Sequence, residues 1–366
     1  MVEAPAAEGL AGEAVAGAAG TQTLLELRDV AKVFAPRATL FGRGKGRPVR
    51  AVDGVSFDIM AGETLGVVGE SGCGKSTVTR CILGIHEVSS GTIRYRDRDG
   101  RMIDLTALSE NERLAYCTDL RIVFQDPQAS LNPRLPVIDI VGEVLKVNRL
   151  LPRSEIEGRV RELLQRVGLR PEYARRYPHA FSGGERQRVG IARALATNPR
   201  LVILDEAVSA LDVSVRAQTL NLLKDLQQEF GLTYLFVSHD LSVIEYICDR
   251  VVVMYVGQIV EIASSAELFA RPMHPYTEAL LSALPVPDPA FKRRGRRIHL
   301  PGEVADPANR PAGCSFHPRC RFATERCKAE TPPLRRVEGR TVACHHAEDL
   351  VLQGVDMGSS PEVQHA

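Results

Sequence analysis

The chain has 366 residues, enough for one large domain with an extension or for two modest domains. Apolar residues make up 44% and charged residues 25%, the make-up of a soluble globular protein, and a net charge of +1 gives no electrostatic ground for a nucleic-acid partner. No apolar run reaches the roughly 18–20 residues of a membrane-spanning helix; the longest candidate, Val251 to Ala263, is broken by Gly257, Gln258 and Glu261, so any work at a membrane needs other subunits to span it.

In chain order, residues 1–22 are rich in Ala and Gly, carry Glu3, Glu8 and Glu13 and lack a basic start, which reads as a disordered tail rather than a signal peptide. Alternation at Leu25 and Leu27 predicts a strand. The basic, Gly-rich stretch Pro36 to Arg50 reads as a surface loop. Leu65–Val68 then leads into Gly69–Thr77, followed by Val78, Ile82 and Leu83 at helical spacing. Ser154 and Glu157 have the spacing of a capping box before Val160, Leu163, Leu164 and Val167, with Gly168 as terminator; Ser182 and Glu185 repeat it before a second helix. Leu201–Leu204, Tyr234–Val237 and Val251–Val256 are short, wholly apolar runs, as expected of parallel strands covered on both faces. Strands alternating with helices predict an α/β fold with a largely parallel sheet. Beyond Ile262 prolines crowd the sequence around the basic run Lys292–Arg297, which reads as a separate, loop-rich extension.

Gly69–Thr77 fits G-x-x-x-x-G-K-[ST] between a strand and a helix. Glycines there let backbone N–H groups close on phosphates, Lys75 adds a point charge, and the Ser76 hydroxyl suits Mg²⁺. Asp205 and Glu206 follow a buried strand, where an acid can organise the metal (Asp205) and a neighbour polarise water (Glu206). Gln125 and His239 also sit at predicted strand ends. Ser182, Gly183 and Gly184 open a helix; their spacing alone reads as a plain helix cap, but Ser-Gly-Gly at a helix N-terminus is also a second ready-made anion cradle. One nucleotide does not need two cradles from one chain, so this one is expected to serve a nucleotide held by a neighbour.

With these motifs in place the chain resembles the ATP-binding-cassette ATPases over roughly Leu24 to Ile262: a P-loop ABC ATPase with a mixed, largely parallel sheet core and a helical subdomain near 126–182. Gly69–Thr77 is similar to Walker A, Leu201–Glu206 to Walker B, Phe181–Arg186 to the signature (with Phe where Leu is commoner), Gln125 to the Q-loop, Ser209–Asp212 to the D-loop and His239 to the switch histidine. The resemblance implies ATP bound by Ser71, Gly72, Cys73, Gly74, Lys75, Ser76 and Thr77, with Phe34 stacked on adenine. It implies Mg²⁺ on Ser76, Gln125 and Asp205, catalysis by Glu206, His239 and Gln125, and a head-to-tail pair in which Ser182, Gly183 and Gly184 face the partner's nucleotide. Translation factors of this superfamily carry two cassettes, and repair members insert coiled coils; neither fits one cassette without heptads. Glu206 and His239 argue against a degenerate, purely regulatory site.

Gln125–Arg134, Asp205–Ser214, His274–Thr277 and Gly313–Cys320 narrow the resemblance to the oligopeptide and dipeptide importer group. It implies a cassette over residues 23–265, a C-terminal extension over 266–350 and a tail over 351–366. The implied partners are a second, related ATPase, two transmembrane permeases and an extracytoplasmic substrate-binding protein, at the cytoplasmic face of the inner membrane. Such systems carry peptides, oligosaccharides, opines or nickel.

Of eight cysteines, Cys314, Cys320, Cys327 and Cys344 fall within 31 residues. In a cytosolic segment with little core, four thiols suggest a metal staple rather than disulfides. Their spacing matches neither the common ferredoxin patterns nor a C-x₂-C zinc ribbon. Resemblance to close relatives implies a [4Fe–4S] cluster; zinc, free thiols and alternative ligation by His317, His345 or His346 stay open.

Overall fold

The computed structural model describes residues 22–35, 47–284 and 297–355. Residues 1–21 of the expected tail (1–22), most of the basic loop (36–46), residues 285–296 with most of the basic run Lys292–Arg297, and residues 356–366 lie outside the described residues.

Two sheets share the core. The smaller is antiparallel, in the order β2-β1-β4-β5, with β1 (Thr23–Phe34), β2 (Val49–Met60), β4 (Ser90–Arg96) and β5 (Met102–Asp104). The larger contains β3 (Thr64–Val68), β6 (Leu120–Val123), β7 (Leu201–Asp205), β8 (Thr233–Val237), β9 (Arg250–Tyr255) and β10 (Gln258–Ser264). It is completed by the short pair β11 (Arg335–Val337) and β12 (Arg340–Val342), in the order β11-β12-β10-β9-β3-β8-β7-β6. Strands β9, β3, β8, β7 and β6 run parallel; β10 and β12 turn antiparallel at one side. Every residue of β3 and β8 is buried, which is why their sequences are almost unbroken apolar runs.

On one face of the large sheet, Leu25, Leu27 and Ile59 of the small sheet pack with Val67, Val237 and Val252, and with Val78 and Ile82 of α1 (Lys75–Ile82). The other face is covered by α6 (Gly183–Leu195) against β6, α7 (Val213–Phe230) and α8 (Leu241–Ile247) against β3. The short α2 (Glu110–Leu114) and α3 (Pro127–Ser130) precede α4 (Val137–Val147) and α5 (Arg153–Arg166), which pack on each other and on α6 rather than on the sheet. Val137, Ile140, Val141 and Leu145 of α4 recur at three- and four-residue steps and are all buried, as are Ile156, Val160, Leu163 and Leu164 of α5. Burying each such side chain contributes about 1.5–3 kcal/mol.

Three expectations need correction. The capping box at Ser154 and Glu157 does not form: Pro152 is the extended N-cap, the helix is already under way at Ser154, and Glu157 accepts instead from Arg161 (2.9 and 3.1 Å). The loop expected up to Arg50 ends earlier, because Val49 and Arg50 pair with Phe34 and Val33 in the small sheet. The stretch expected to start a tail at 351 instead returns to the body: Leu352 and Val355 are buried, and Val355 N–H donates to the Phe269 carbonyl (2.8 Å) in α9 (Ser265–Ala270). The segment after Ile262 also extends the large sheet, since β12 pairs with β10 at Glu261 and Ile262.

Candidate active site

The site lies along one edge of the large sheet, at the C-terminal ends of its parallel strands, where α/β sheets hold their ligands. The loop 69–74 leaves β3, Asp205 and Glu206 end β7, His239 follows β8 and Gln125 follows β6. Because β3, β8, β7 and β6 are neighbours in that order, residues 170 positions apart in the chain meet at one edge without any local sequence link.

The phosphate loop is walled in from below. Gly69 (φ +150°) and Gly74 (φ +106°) adopt backbone conformations that other residues avoid, and a Cβ would come within 2.2 Å of the Met254 carbonyl at Gly69 and 2.3 Å of the Ala51 carbonyl at Gly74. Gly74 is the left-handed N-cap of α1; its carbonyl accepts from Thr77 N–H and Val78 N–H (both 3.0 Å), and the amides of Lys75 and Ser76 come too early in the helix to have an acceptor within it. Lys75 is buried, its ammonium donating to the carbonyls of Gly69 (2.8 Å) and Glu70 (3.0 Å), so its charge lies across the loop. Cys73 is buried beneath, and burial pushes its thiol up despite the neighbouring Lys75.

Ser76 Oγ donates to Asp205 Oδ1 at 3.4 Å, bringing together the hydroxyl and the acid expected on Mg²⁺. Burial raises the Asp205 pKa, and the adjacent Glu206 raises it further. A half-buried acid beside a second acid and a hydroxyl is a donor set suited to a hard divalent cation. Glu206 has φ +50°, an uncommon backbone for a side chain with a Cβ and a local strain that suits a functional position. That turn aims its carboxylate at His239, whose Nδ1 lies 3.2 Å from Glu206 Oε1; His239 is 58% exposed. Ser209 Oγ donates to the Glu206 carbonyl (2.8 Å), fixing the same turn from the other side.

Gln125 is exposed just past β6, and Phe34 stands half-buried at the end of β1, edge-on to His86 (centroids 5.3 Å apart). The capping box expected at Ser182 and Glu185 forms. Ser182 Oγ accepts from Glu185 N–H (3.3 Å), and the Glu185 carboxylate accepts from Ser182 N–H (2.9 Å), which lowers the Glu185 pKa. Ser182 and Gly183 are exposed, and among the described residues no hydrogen bond joins this cradle to the phosphate loop. Gly184 faces α7, where a Cβ would meet Val215 Cγ1 at 2.5 Å.

Cys314, Cys320, Cys327 and Cys344 line one cavity of about 20 Å³, together with His274, His317, His345 and His346. Burial pushes the Cys320 thiol up to about 11 and the Cys344 thiol up to about 12, the latter also through the other three thiols. None is in a disulfide. Even so, among the described residues no group of three or more His, Cys, Asp or Glu is placed to hold a metal ion, and the space is that of a single water. The expected cluster site is therefore not formed around a cluster-sized space.

Tyr276 and Arg319, to which the sequence motifs assign no role, touch the phosphate loop from 206 and 249 positions away. Both lie in stretches that had marked the importer group, and nothing local in either signalled this contact. No helix among the described residues is long and apolar enough to cross a membrane.

The sequence matches the ABC transporter family over residues 52–209 and the oligopeptide/dipeptide transporter C-terminal region over 260–327. It is 50% identical over 330 residues to the oligopeptide transport ATP-binding protein AppF of Bacillus subtilis, covering 90% of this chain and 98% of that one. It is 45% identical over 332 residues to the di/tripeptide transport ATP-binding protein DppF of Pseudomonas aeruginosa, covering 90% and 99%. Among solved structures, the dimeric bacterial ABC transporter cassette MJ0796 superposes with a TM-score of 0.57 at 28% identity, over 66% of this chain and 99% of that one. A post-hydrolysis state of the same cassette holds ADP and Pi (TM-score 0.56, 27% identity, 66% and 99% covered). The strand-end site and these relatives agree: the chain belongs to the ATP-hydrolysing subunits of ABC transporters, in the group that carries the oligopeptide/dipeptide C-terminal region.

Proposed function

We propose that this chain powers uptake of peptides, as one of two cassettes beneath a pair of permeases at the cytoplasmic face of the membrane and fed by an extracytoplasmic binding protein. The peptide assignment rests on what the relatives are named for. The mechanistic assignment rests on one observation: Ser76–Asp205 and Glu206–His239 meet at one sheet edge, beside the loop that carries Lys75.

In this reading Ser71–Thr77 wrap the ATP phosphates, Lys75 adds its charge, and Phe34 takes the adenine face. Ser76, Asp205 and Gln125 would hold Mg²⁺, which supplies charge neutralisation at the phosphates. Glu206 accepts a hydrogen bond from the attacking water and draws off its proton. The water oxygen bonds to the γ-phosphorus, the bond to the β–γ bridging oxygen breaks, and ADP leaves with that electron pair. His239 holds the Glu206 carboxylate in line. Ser182, Gly183 and Gly184 complete the site of the neighbouring ATPase, a related but different chain, and the Ser182 side chain is released from its cap when it does so.

Glu206→Gln tests this. The variant should bind ATP normally, hydrolyse it at least about a hundredfold more slowly and accumulate as a closed pair of cassettes. Normal turnover would refute the role of Glu206. The isolated chain should hydrolyse ATP slowly and accelerate when permeases are added.

The four late cysteines are further inferred to take a [4Fe–4S] cluster as a structural staple, with a local opening to admit it. Supporting this is the cavity that the four cysteines share. Iron and acid-labile sulfide in anaerobically purified protein would support it; one equivalent of zinc without iron would contradict it.

A further inference from the structure

We propose that the C-terminal extension is a strut for the phosphate loop: Arg319 and Tyr276 hold Glu70, and through it Lys75, in the arrangement that binds ATP. The proposal rests on reading Gly69–Thr77 as the bed of the ATP phosphates.

Glu70 is the second residue of that loop and is gripped on three sides. Its carboxylate receives two bonds from one guanidinium, Arg319 Nη1 to Oε2 at 2.7 Å and Nη2 to Oε1 at 3.2 Å. Its main-chain N–H donates to the Tyr276 hydroxyl at 2.8 Å. Its main-chain carbonyl accepts from Lys75 Nζ (3.0 Å) and from Cys73 N–H (3.2 Å). One peptide segment thus joins the extension to the lysine. A fork-to-carboxylate pair fixes direction as well as distance, which a single charge contact does not.

The strut is rigid at its far end. The Arg319 side chain is only 9% exposed and closes a short 3₁₀ turn, His317–Arg319, directly before Cys320. Tyr276 is fully buried in α10 (Pro275–Ser282), with its ring 4.7 Å from Tyr255 and 5.4 Å from Phe316. Phe316 in turn lines the cysteine cavity. Ser315 Oγ donates to Gln258 Oε1 (2.7 Å) and Arg310 pairs with Asp53 (2.5 Å), seating the same segment on the large sheet and on β2. A surface ornament would not need a buried arginine aimed at the loop, because an arginine deprived of its carboxylate there carries an uncompensated charge.

The test uses the full chain, alone for ATP affinity and assembled with its permeases for turnover. Glu70→Gln and Arg319→Met should each raise the dissociation constant and KM for ATP about tenfold, while kcat at saturating ATP changes much less. Arg319→Lys, which keeps the charge and loses the fork, should fall between them and the parent. The double variant should be no worse than Arg319→Met, since both substitutions break one linkage. Parental ATP affinity in a folded Glu70→Gln protein overturns the strut, as do effects that multiply in the double variant. If Arg319→Met does not fold, Glu70→Gln decides alone, because Glu70 is partly solvated. Lys75→Ala separates the underlying reading: parental ATP affinity in that variant overturns the phosphate-bed assignment itself, whereas lost binding there with an unaffected Glu70→Gln rejects the strut only.

Discussion

Two helix starts among the described residues bear glycines, and they are built in opposite ways. Gly69–Lys75 rests on the carbonyls of Met254 and Ala51 and is held through Glu70 by Arg319 and Tyr276. Ser182–Gly184 is held by its own cap and meets α7 through Gly184 against Val215, and its first two residues face solvent. Both offer backbone amides to an anion. The first is pre-organised by distant parts of the fold, as the proposed role of fixing a triphosphate by itself requires. The second is spare until something is brought to it, as a half-site for a neighbour's nucleotide would be.

That contrast breaks most visibly at Lys75. Lys75→Ala should weaken ATP binding about a hundredfold or more, as read by nucleotide titration, because a charge aimed at the phosphates is removed with no substitute nearby. Gly74→Ala comes next: its Cβ must displace the Ala51 carbonyl from a left-handed position, costing about 1–3 kcal/mol in chemical denaturation and lowering ATP affinity with it. Ser182→Ala should cost only about 1 kcal/mol, the worth of a helix cap, and leave ATP affinity of the isolated chain unchanged while slowing the assembled transporter. Equal loss of ATP binding in the isolated Ser182 and Lys75 variants would erase the distinction between the two starts.

A smaller effect sharpens the account of the extension. His274 is buried, its Nδ1 accepts from Tyr276 N–H (3.0 Å), and burial lowers its pKa to about 3. The unfolded chain therefore binds a proton here below the ordinary histidine pKa of about 6.5 while the folded chain does not until about pH 3. Folding stability is lost through this group as pH falls across that window. His274→Asn, which keeps an acceptor and does not titrate, should show a shallower fall in Tm between pH 6.5 and 4 than the parent.

Most of the sheet core could be read from the sequence, because strands buried on both faces must be apolar throughout, as Leu201–Leu204 and Tyr234–Val237 are. The Ser182 cap was legible for a similar reason: its partner Glu185 is three residues away. The identical spacing at Ser154 misled, since the preceding Pro152 had already fixed the helix start. The β11–β12 pair was not foreseen; two three-residue strands carry no periodicity and are specified by pairing with β10. Arg319 and Tyr276 were illegible as site neighbours because their contacts with Glu70 are tertiary.

The central claim, that this chain's Ser182–Gly184 cradle serves a nucleotide held by its partner, is tested most directly by photolabelling. The assembled transporter would carry Lys75→Ala in this chain, so that only the partner's phosphate loop retains ATP, and would be treated with ATP bearing a photoreactive group at the γ-phosphate. The account predicts label on this chain within Ser182–Gly184. Label confined to the partner, with its site saturated and the cassettes closed, would contradict it.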